Sequence, residues 1–122
     1  GERLDVRGCV TPGFLGDRQL RAAVAGARAL VLPSRDEGFG LPVLEALAAG
    51  TPVLASDLPV LREVGGELVT YAAPGDPEAF ADGLRRVLEA PHDPAPGRRH
   101  ASAMTWRRCA EAHRAAYSLA RA

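Results

Sequence analysis

The chain has 122 residues, 47% hydrophobic and 25% charged, with fifteen basic residues against fifteen acidic ones and a pI near 7.0. That length suits one domain or a piece of a larger one, and the composition is that of a globular chain, not a disordered one. Balanced charge gives no bulk electrostatic ground for a nucleic-acid partner, and no apolar run approaches the ~20 residues of a membrane span.

Asp5 to Val10 reads as a first short strand, followed by the turn-rich Thr11-Pro12-Gly13-Phe14-Leu15-Gly16. Asp17 is the expected N-cap of a helix carrying Leu20, Ala23, Val24 and Ala27 at helical spacing. Ala29 to Leu32 is a continuous apolar run, as expected of a strand covered on both faces. A helix from Val43 to Ala49 follows, with Pro42 at its first position, where a missing N–H costs nothing. Gly50 suits the C′ position of that helix, and Pro52 opens the strand Val53 to Ser56. A short helix from Pro59 to Val64 closes at Gly65-Gly66, and Glu67 to Tyr71 is a fourth strand. Asp76-Pro77-Glu78 starts a helix that runs to about Glu89, with cap, proline and acidic first turn in order. Pro91 to Gly97 reads as a proline-rich connector, and Arg99 to about Ala120 as one terminal helix.

Strands alternating with helices make βαβ units, hence an α/β fold with a parallel sheet of about four strands and flanking helices in three layers. Ligands on such sheets sit beyond the carboxyl ends of the strands. The loops after Val10, Pro33, Ser56 and Tyr71 share that edge, but only the one after Leu32 carries a dense set of chemical groups. There, Ser34 to Glu45 holds two glutamates, two glycines and a helix start. Backbone N–H groups without intrahelical partners point out of a helix N-terminus and attract anions, phosphate above all. Gly38 and Gly40 allow close approach of a ligand. Glutamates repel phosphate but accept hydrogen bonds from hydroxyls, so a ligand carrying both phosphate and many hydroxyls, a nucleotide sugar, fits the pattern.

The run Glu37-Gly38-Phe39-Gly40-Leu41-Pro42-Val43-Leu44-Glu45, with Ala46-Leu47-Ala48-Ala49-Gly50-Thr51-Pro52-Val53-Leu54-Ala55-Ser56 after it, resembles the two-lobed retaining glycosyltransferases of family 4. The resemblance resumes at Leu61-Arg62-Glu63-Val64 and at Met104-Thr105-Trp106, and it covers nearly the whole chain. It implies an incomplete C-terminal, Rossmann-like lobe of GT-B type. Residues 1–98 would form the partial nucleotide-sugar-binding lobe and 99–122 its C-terminal helix. It also implies transfer of a hexose from a UDP-, GDP- or ADP-sugar to a sugar, lipid or small-molecule acceptor, with no cofactor and no metal.

The same resemblance assigns roles. Glu37 would contact donor-sugar hydroxyls beside the anomeric carbon, where its hydrogen bonds strengthen as positive charge develops. Glu45 would accept from the two ribose hydroxyls, one for each carboxylate oxygen. Gly38, Phe39, Gly40 and Leu41 would present backbone amides to sugar and diphosphate oxygens. Cys9 and Val10, closing the first strand, align with the segment that holds the base. Each role has a plainer counterpart: a charge near a helix N-terminus for Glu37, a solvated helix position for Glu45, a packed ring for Phe39, strand packing for Val10. Two glutamates can also serve as the acid/base pair of a glycoside hydrolase. Ser34, Asp36, Asp57 and Glu63 read as capping or turn residues. His92, His100 and His113 read as surface residues, and Trp106 as a packing anchor.

Cys9 and Cys109 lack metal-ligand spacing and read as buried thiols. All basic residues are arginine, as GC-rich coding produces. No secretory signal opens the chain, which points to the cytoplasm and to a start of the kind an excised fragment has. The family's phosphate-neutralising arginine and lysine lie well upstream of the glutamates, and its acceptor-binding N-terminal lobe is absent. The fragment alone would therefore be inactive, and any peripheral contact with a membrane would run through that missing lobe. In the family sheet order the first strand here would lose the two strands that separate it from the next. It would either pair with that next strand directly or leave edges that invite self-association. A non-catalytic nucleotide-sugar-binding remnant and a sugar-nucleotide epimerase of the same architecture stay open as rivals.

Overall fold

The computed structural model describes residues 7–104 and 106–120. Three β strands, β1 (Leu30–Leu32), β2 (Val53–Ser56) and β3 (Thr70–Ala72), pair in parallel in the order β1-β2-β3. Leu30 lies opposite Val53, and Leu54 opposite Thr70. The central strand is buried at all four positions, three apolar residues followed by Ser56, as a strand covered on both faces is. Between the strands run α2 (Leu41–Ala49) and α3 (Pro59–Gly65), with α1 (Asp17–Gly26) before them. After β3 come α4 (Pro77–Glu89), α5 (Ala95–Ala103) and α6 (Trp106–Ala120).

Side chains alternate across the sheet with period two. Val53 and Ala55 face the main core with Val43, Ala46 and Leu47 of α2, Leu61 and Val64 of α3, and Val69. Leu54 points the other way, where α4 lies so close that a Cβ on Gly83 would stand 2.7 Å from its Cδ1. Helices therefore cover both faces. Thr51, itself buried, donates its hydroxyl to the Val24 carbonyl at 2.7 Å and ties α1 to the loop behind α2.

The carboxyl end of α2 is closed by α5 and its approach. Gly50 adopts a left-handed φ of 79°, and its amide reaches back to the carbonyls of Ala46 and Leu47. The Gly50 carbonyl accepts from His92 Nε2 at 3.0 Å, and the Ala49 carbonyl from Arg98 Nη2 at 3.4 Å. Donors placed here satisfy carbonyls that the helix leaves open. His100 Nε2 donates to the Val64 carbonyl at 2.6 Å, fastening α5 to α3. His92 and His100 are thus structural ties, contrary to their reading as plain surface residues. His113 is exposed and stacks obliquely toward Tyr117, with ring centroids 6.5 Å apart.

Several expected elements differ. The described residues hold three strands, not four: positions 7–10 of the expected first strand form none, and 5–6 lie outside the described residues. Without a partner strand, a short segment beside turn-rich residues has nothing to pair with. Direct pairing with the next strand is therefore not seen among the described residues, and β1 is an outer strand with Val31 41% exposed. The expected strand from Glu67 begins instead with a turn of 3-10 helix, Gly66–Leu68. The supposed connector up to Gly97 is shorter, because α5 begins at Ala95 with Pro96 in its first turn and runs unbroken across positions 98 and 99. The long terminal helix is two helices, broken at Met104, whose φ of −94° and ψ of 59° are non-helical. The cap of α1 is Gly16, whose amide donates to Gln19 Oε1 at 3.2 Å, and Asp17 is the first helical residue. Cys9 is exposed, not buried. Thr105 and the side chains of Trp106 and Cys109 lie outside the described residues.

Candidate functional site

Between Leu32 and Leu41 the chain turns from the carboxyl end of β1 into α2. Ser34 Oγ donates to Glu37 Oε2 at 3.0 Å, and the Glu37 amide donates to Asp36 Oδ1 at 3.0 Å. These contacts give Ser34 and Asp36 their turn roles and hold the half-buried Glu37 carboxylate by one oxygen. Its second oxygen has no partner among the described residues. Gly38 is exposed, and Phe39 is 51% exposed, so its ring is not a packed core side chain.

Gly40 caps the helix in the left-handed region, with φ 84°, and is buried. A Cβ there would lie 2.7 Å from Leu61 Cδ2. Both the conformation and the close approach demand glycine. Leu41 is the first helical residue and Pro42 the second, one place later than expected. The Val43 amide folds back onto the Gly40 carbonyl at 3.0 Å. By contrast, the amides of Gly38, Phe39, Gly40 and Leu41 have no acceptor among the described residues. The turn therefore leaves a short row of amides without internal acceptors at the positive end of α2, that of Gly40 within a buried residue.

Glu45 sits one turn further on, on the exposed face of α2 that it shares with Leu41 and Ala48, opposite the buried Val43, Ala46 and Leu47. This face fronts a groove of about 530 Å³ between α1 and α2, lined by Asp17, Leu20, Arg21 and Val24 on one side and Glu45 and Ala48 on the other. Glu37 does not line it. The structure thus brings Glu45 together with Asp17 and Arg21, while Glu37 stays in the turn beside the free amides. Val10 is 85% exposed in an extended segment without strand pairing, so the expected base-holding strand end is not assembled among the described residues. Arg21 was not singled out from sequence, and Asp17 only as a cap. Their four-residue spacing on one helix was the available signal.

At the end of β2, Asp57 accepts from both Arg62 Nε and Nη2, the latter at 2.9 Å, and the guanidinium lies over the Tyr71 ring, 4.4 Å from its centroid. Tyr71 donates its hydroxyl toward the carbonyls of Leu61, at 3.1 Å, and Gly66, at 2.7 Å. The hydrogen bond from Arg62, with its charge in support, holds the Asp57 carboxyl below the ordinary carboxylate range. The same contact raises the guanidinium. Burial pushes the Tyr71 hydroxyl up, against the pull of Arg62. A depressed carboxyl favours the fold above its unfolded value and loses that contribution as pH falls through its folded value. Arg62→Ala should return the Asp57 titration, followed by carboxyl chemical shift, to the ordinary range; an unmoved midpoint would show the ion pair to be inert.

A parallel sheet covered by helices on both faces, with a glycine turn feeding the amino end of a helix at the sheet's carboxyl edge, defines a Rossmann-like lobe of the GT-B type. The chain belongs to the glycosyl transferases group 1 family, whose profile matches residues 7–103. It is 40% identical over 73 residues to O-antigen chain mannosyltransferase RfbU of Salmonella typhimurium, covering 60% of this chain and 21% of that protein. Against the GDP-mannose-dependent alpha-(1-6)-phosphatidylinositol dimannoside mannosyltransferase of Mycobacterium tuberculosis it is 37% identical over 101 residues, 80% of this chain and 26% of the relative. Glycogen synthase of the same species is 42% identical over 93 residues, 75% of this chain and 22% of that protein. Among solved structures, sucrose-phosphate synthase from Thermosynechococcus elongatus superposes with a TM-score of 0.65 at 30% identity, covering 84% of this chain and 29% of the other. The chain spans about a fifth to a quarter of the length of these curated relatives. Among the described residues, no helix is long and apolar enough to cross a membrane.

Proposed function

We propose that this chain is the donor-binding part of a retaining, metal-independent glycosyltransferase of the cytoplasm, which moves a hexose from a nucleoside diphosphate to a sugar, lipid or small-molecule acceptor. The observation that carries this reading is the row of unpartnered amides from Gly38 to Leu41, with one carboxylate before it and another a turn inside the helix. Breaking the anomeric C–O bond leaves its electron pair on the diphosphate, where amide donors at a helix N-terminus oppose the growing negative charge. Positive charge develops on the sugar at the same time, and a carboxylate held like Glu37 stabilises it without having to reorganise. Glu45 takes the ribose hydroxyls, which fixes the nucleoside while the sugar reacts. Other residues of the same polypeptide supply the acceptor site and the cations facing the diphosphate. The mannosyltransferases and glycogen synthase among the relatives support a nucleotide-sugar donor.

Calorimetric titration with UDP-, GDP- and ADP-sugars tests the reading. Glu45→Ala should weaken binding of the preferred donor by about 1–3 kcal/mol, the cost of two lost hydroxyl contacts. An unchanged affinity removes the ribose assignment.

A further inference from the structure

The turn that carries Glu37 is held from within by Ser34 and Asp36. Between these two stands Arg35, exposed, and the one basic residue between Arg28 and Arg62. Carboxylates follow it in the chain at Asp36 and Glu37, yet among the described residues it forms an ion pair with neither. Its guanidinium reaches instead to the loop between β3 and α4. A Cβ built on Gly75 would lie 3.8 Å from Arg35 Nη2, 3.9 Å from Nε and 4.0 Å from Cζ. Three atoms of the planar group at nearly one distance set it across the glycine.

Gly75 belongs to a turn that its own residues fix. In Ala73-Pro74-Gly75-Asp76 the Asp76 amide donates to the Ala73 carbonyl at 3.2 Å. Proline at the second position and a glycine with φ 73° at the third are what a type II turn asks for. The Asp76 carboxylate in turn caps α4, accepting from the Ala79 amide at 3.0 Å. The loop is therefore a firm anchor. Because β2 lies between β1 and β3, the contact from Arg35 to Gly75 bridges the carboxyl end of the central strand.

We propose that Arg35 is a positioning residue: it straps the turn bearing Glu37 to the Pro74-Gly75 turn and so fixes where the Glu37 carboxylate stands. This inference rests on the reading of Glu37 as the carboxylate beside the reacting sugar. A guanidinium suits the task, since its flat face packs on a bare glycine. Its charge, turned away from Asp36 and Glu37, leaves both carboxylates in their hydrogen bonds. A turn free to shift by about an ångström would lose much of the rate that correct placement gives.

The test compares Arg35→Ala, Arg35→Lys, Gly75→Asn and the double variant of Arg35→Ala with Gly75→Asn. Asparagine accepts the third position of the turn and puts a side chain where the guanidinium rests. Denaturant midpoints of the chain should not move for Arg35→Ala, because the residue is exposed. In a polypeptide that also carries the acceptor-binding part, Arg35→Ala should lower turnover about tenfold and leave the donor KM unchanged. Arg35→Lys, which keeps the stem, should recover part of the loss. Gly75→Asn should lower turnover too, and the double variant no further, because both act on one contact. Losses that add in full, or an inert Gly75→Asn, would show that Arg35 does not act through the turn. If Gly75→Asn fails to fold, the two Arg35 variants decide alone. A raised donor KM with turnover kept would make Arg35 a ligand of the donor and overturn the strap. If Arg35→Ala changes nothing while Glu37→Ala lowers turnover, the strap is wrong and the role of Glu37 stands. If Glu37→Ala also changes nothing, that role falls and the strap falls with it.

Discussion

Replacing Gly40 with alanine should lower folding stability by about 2–5 kcal/mol and abolish donor binding. Two costs combine. An L-residue held at a φ of 84° pays roughly 1–2 kcal/mol for the left-handed conformation. The added methyl would stand 2.7 Å from Leu61 Cδ2, in a core already filled by Val43 and Leu61, and overpacking typically adds about 1–3 kcal/mol. Relief by a shift of α3 would move Leu61 and loosen the turn that aims the amides of Gly38 to Leu41. Gly38→Ala is the internal control: no atom lies within 4 Å of its would-be Cβ, and its φ is not in the left-handed region. Denaturant unfolding of the two variants decides the matter. Equal midpoints would show that the turn tolerates a side chain at position 40, and the account of the glycine would be wrong.

Glu37→Ala should reduce turnover by about 10²–10³-fold in a polypeptide that also carries the acceptor-binding part, with a much smaller change in nucleotide affinity. The asymmetry follows from where charge appears. On the proposed role, the donor sugar is neutral in the ground state and Glu37 would only accept hydroxyl hydrogen bonds, whereas in the transition state the ring would carry positive charge beside the carboxylate. Ser34, bonded to one carboxylate oxygen at 3.0 Å, restrains the Glu37 side chain, so Ser34→Ala should cost turnover as well, though less. Steady-state kinetics separates the two cases. A variant that loses affinity and keeps turnover would make Glu37 a ground-state binding residue.

Much of this molecule was legible in the order of its residues. The strand Val53–Ser56, the Asp76 cap of α4, whose carboxylate accepts from the Ala79 amide at 3.0 Å, and the Gly50 stop of α2 are all local events. Each depends on a few neighbouring residues and on backbone chemistry that any context would respect. The site turn was legible for the same reason: strand, two glycines, proline and helix follow one another within twelve residues. Other features were decided elsewhere in the chain. His92 and His100 look like surface residues until α5 is laid across α2 and α3, when carbonyls at Gly50 and Val64 come within their reach. The break at Met104 interrupts a helical period that continues on both sides of it.

What the sequence alone determined is the family, the alternation of strands and helices, and the glycine turn with a glutamate on either side, because these are short-range patterns written in residue type and spacing. Tertiary structure decided which groups share a groove. Asp17 and Arg21 line one groove with Glu45 because the packing of the chain, including the Thr51 tie to Val24, seats α1 beside α2. Residues 17 and 45 lie far apart along the chain, and of α1 only Val24 packs against the core, a tertiary contact that no local spacing records.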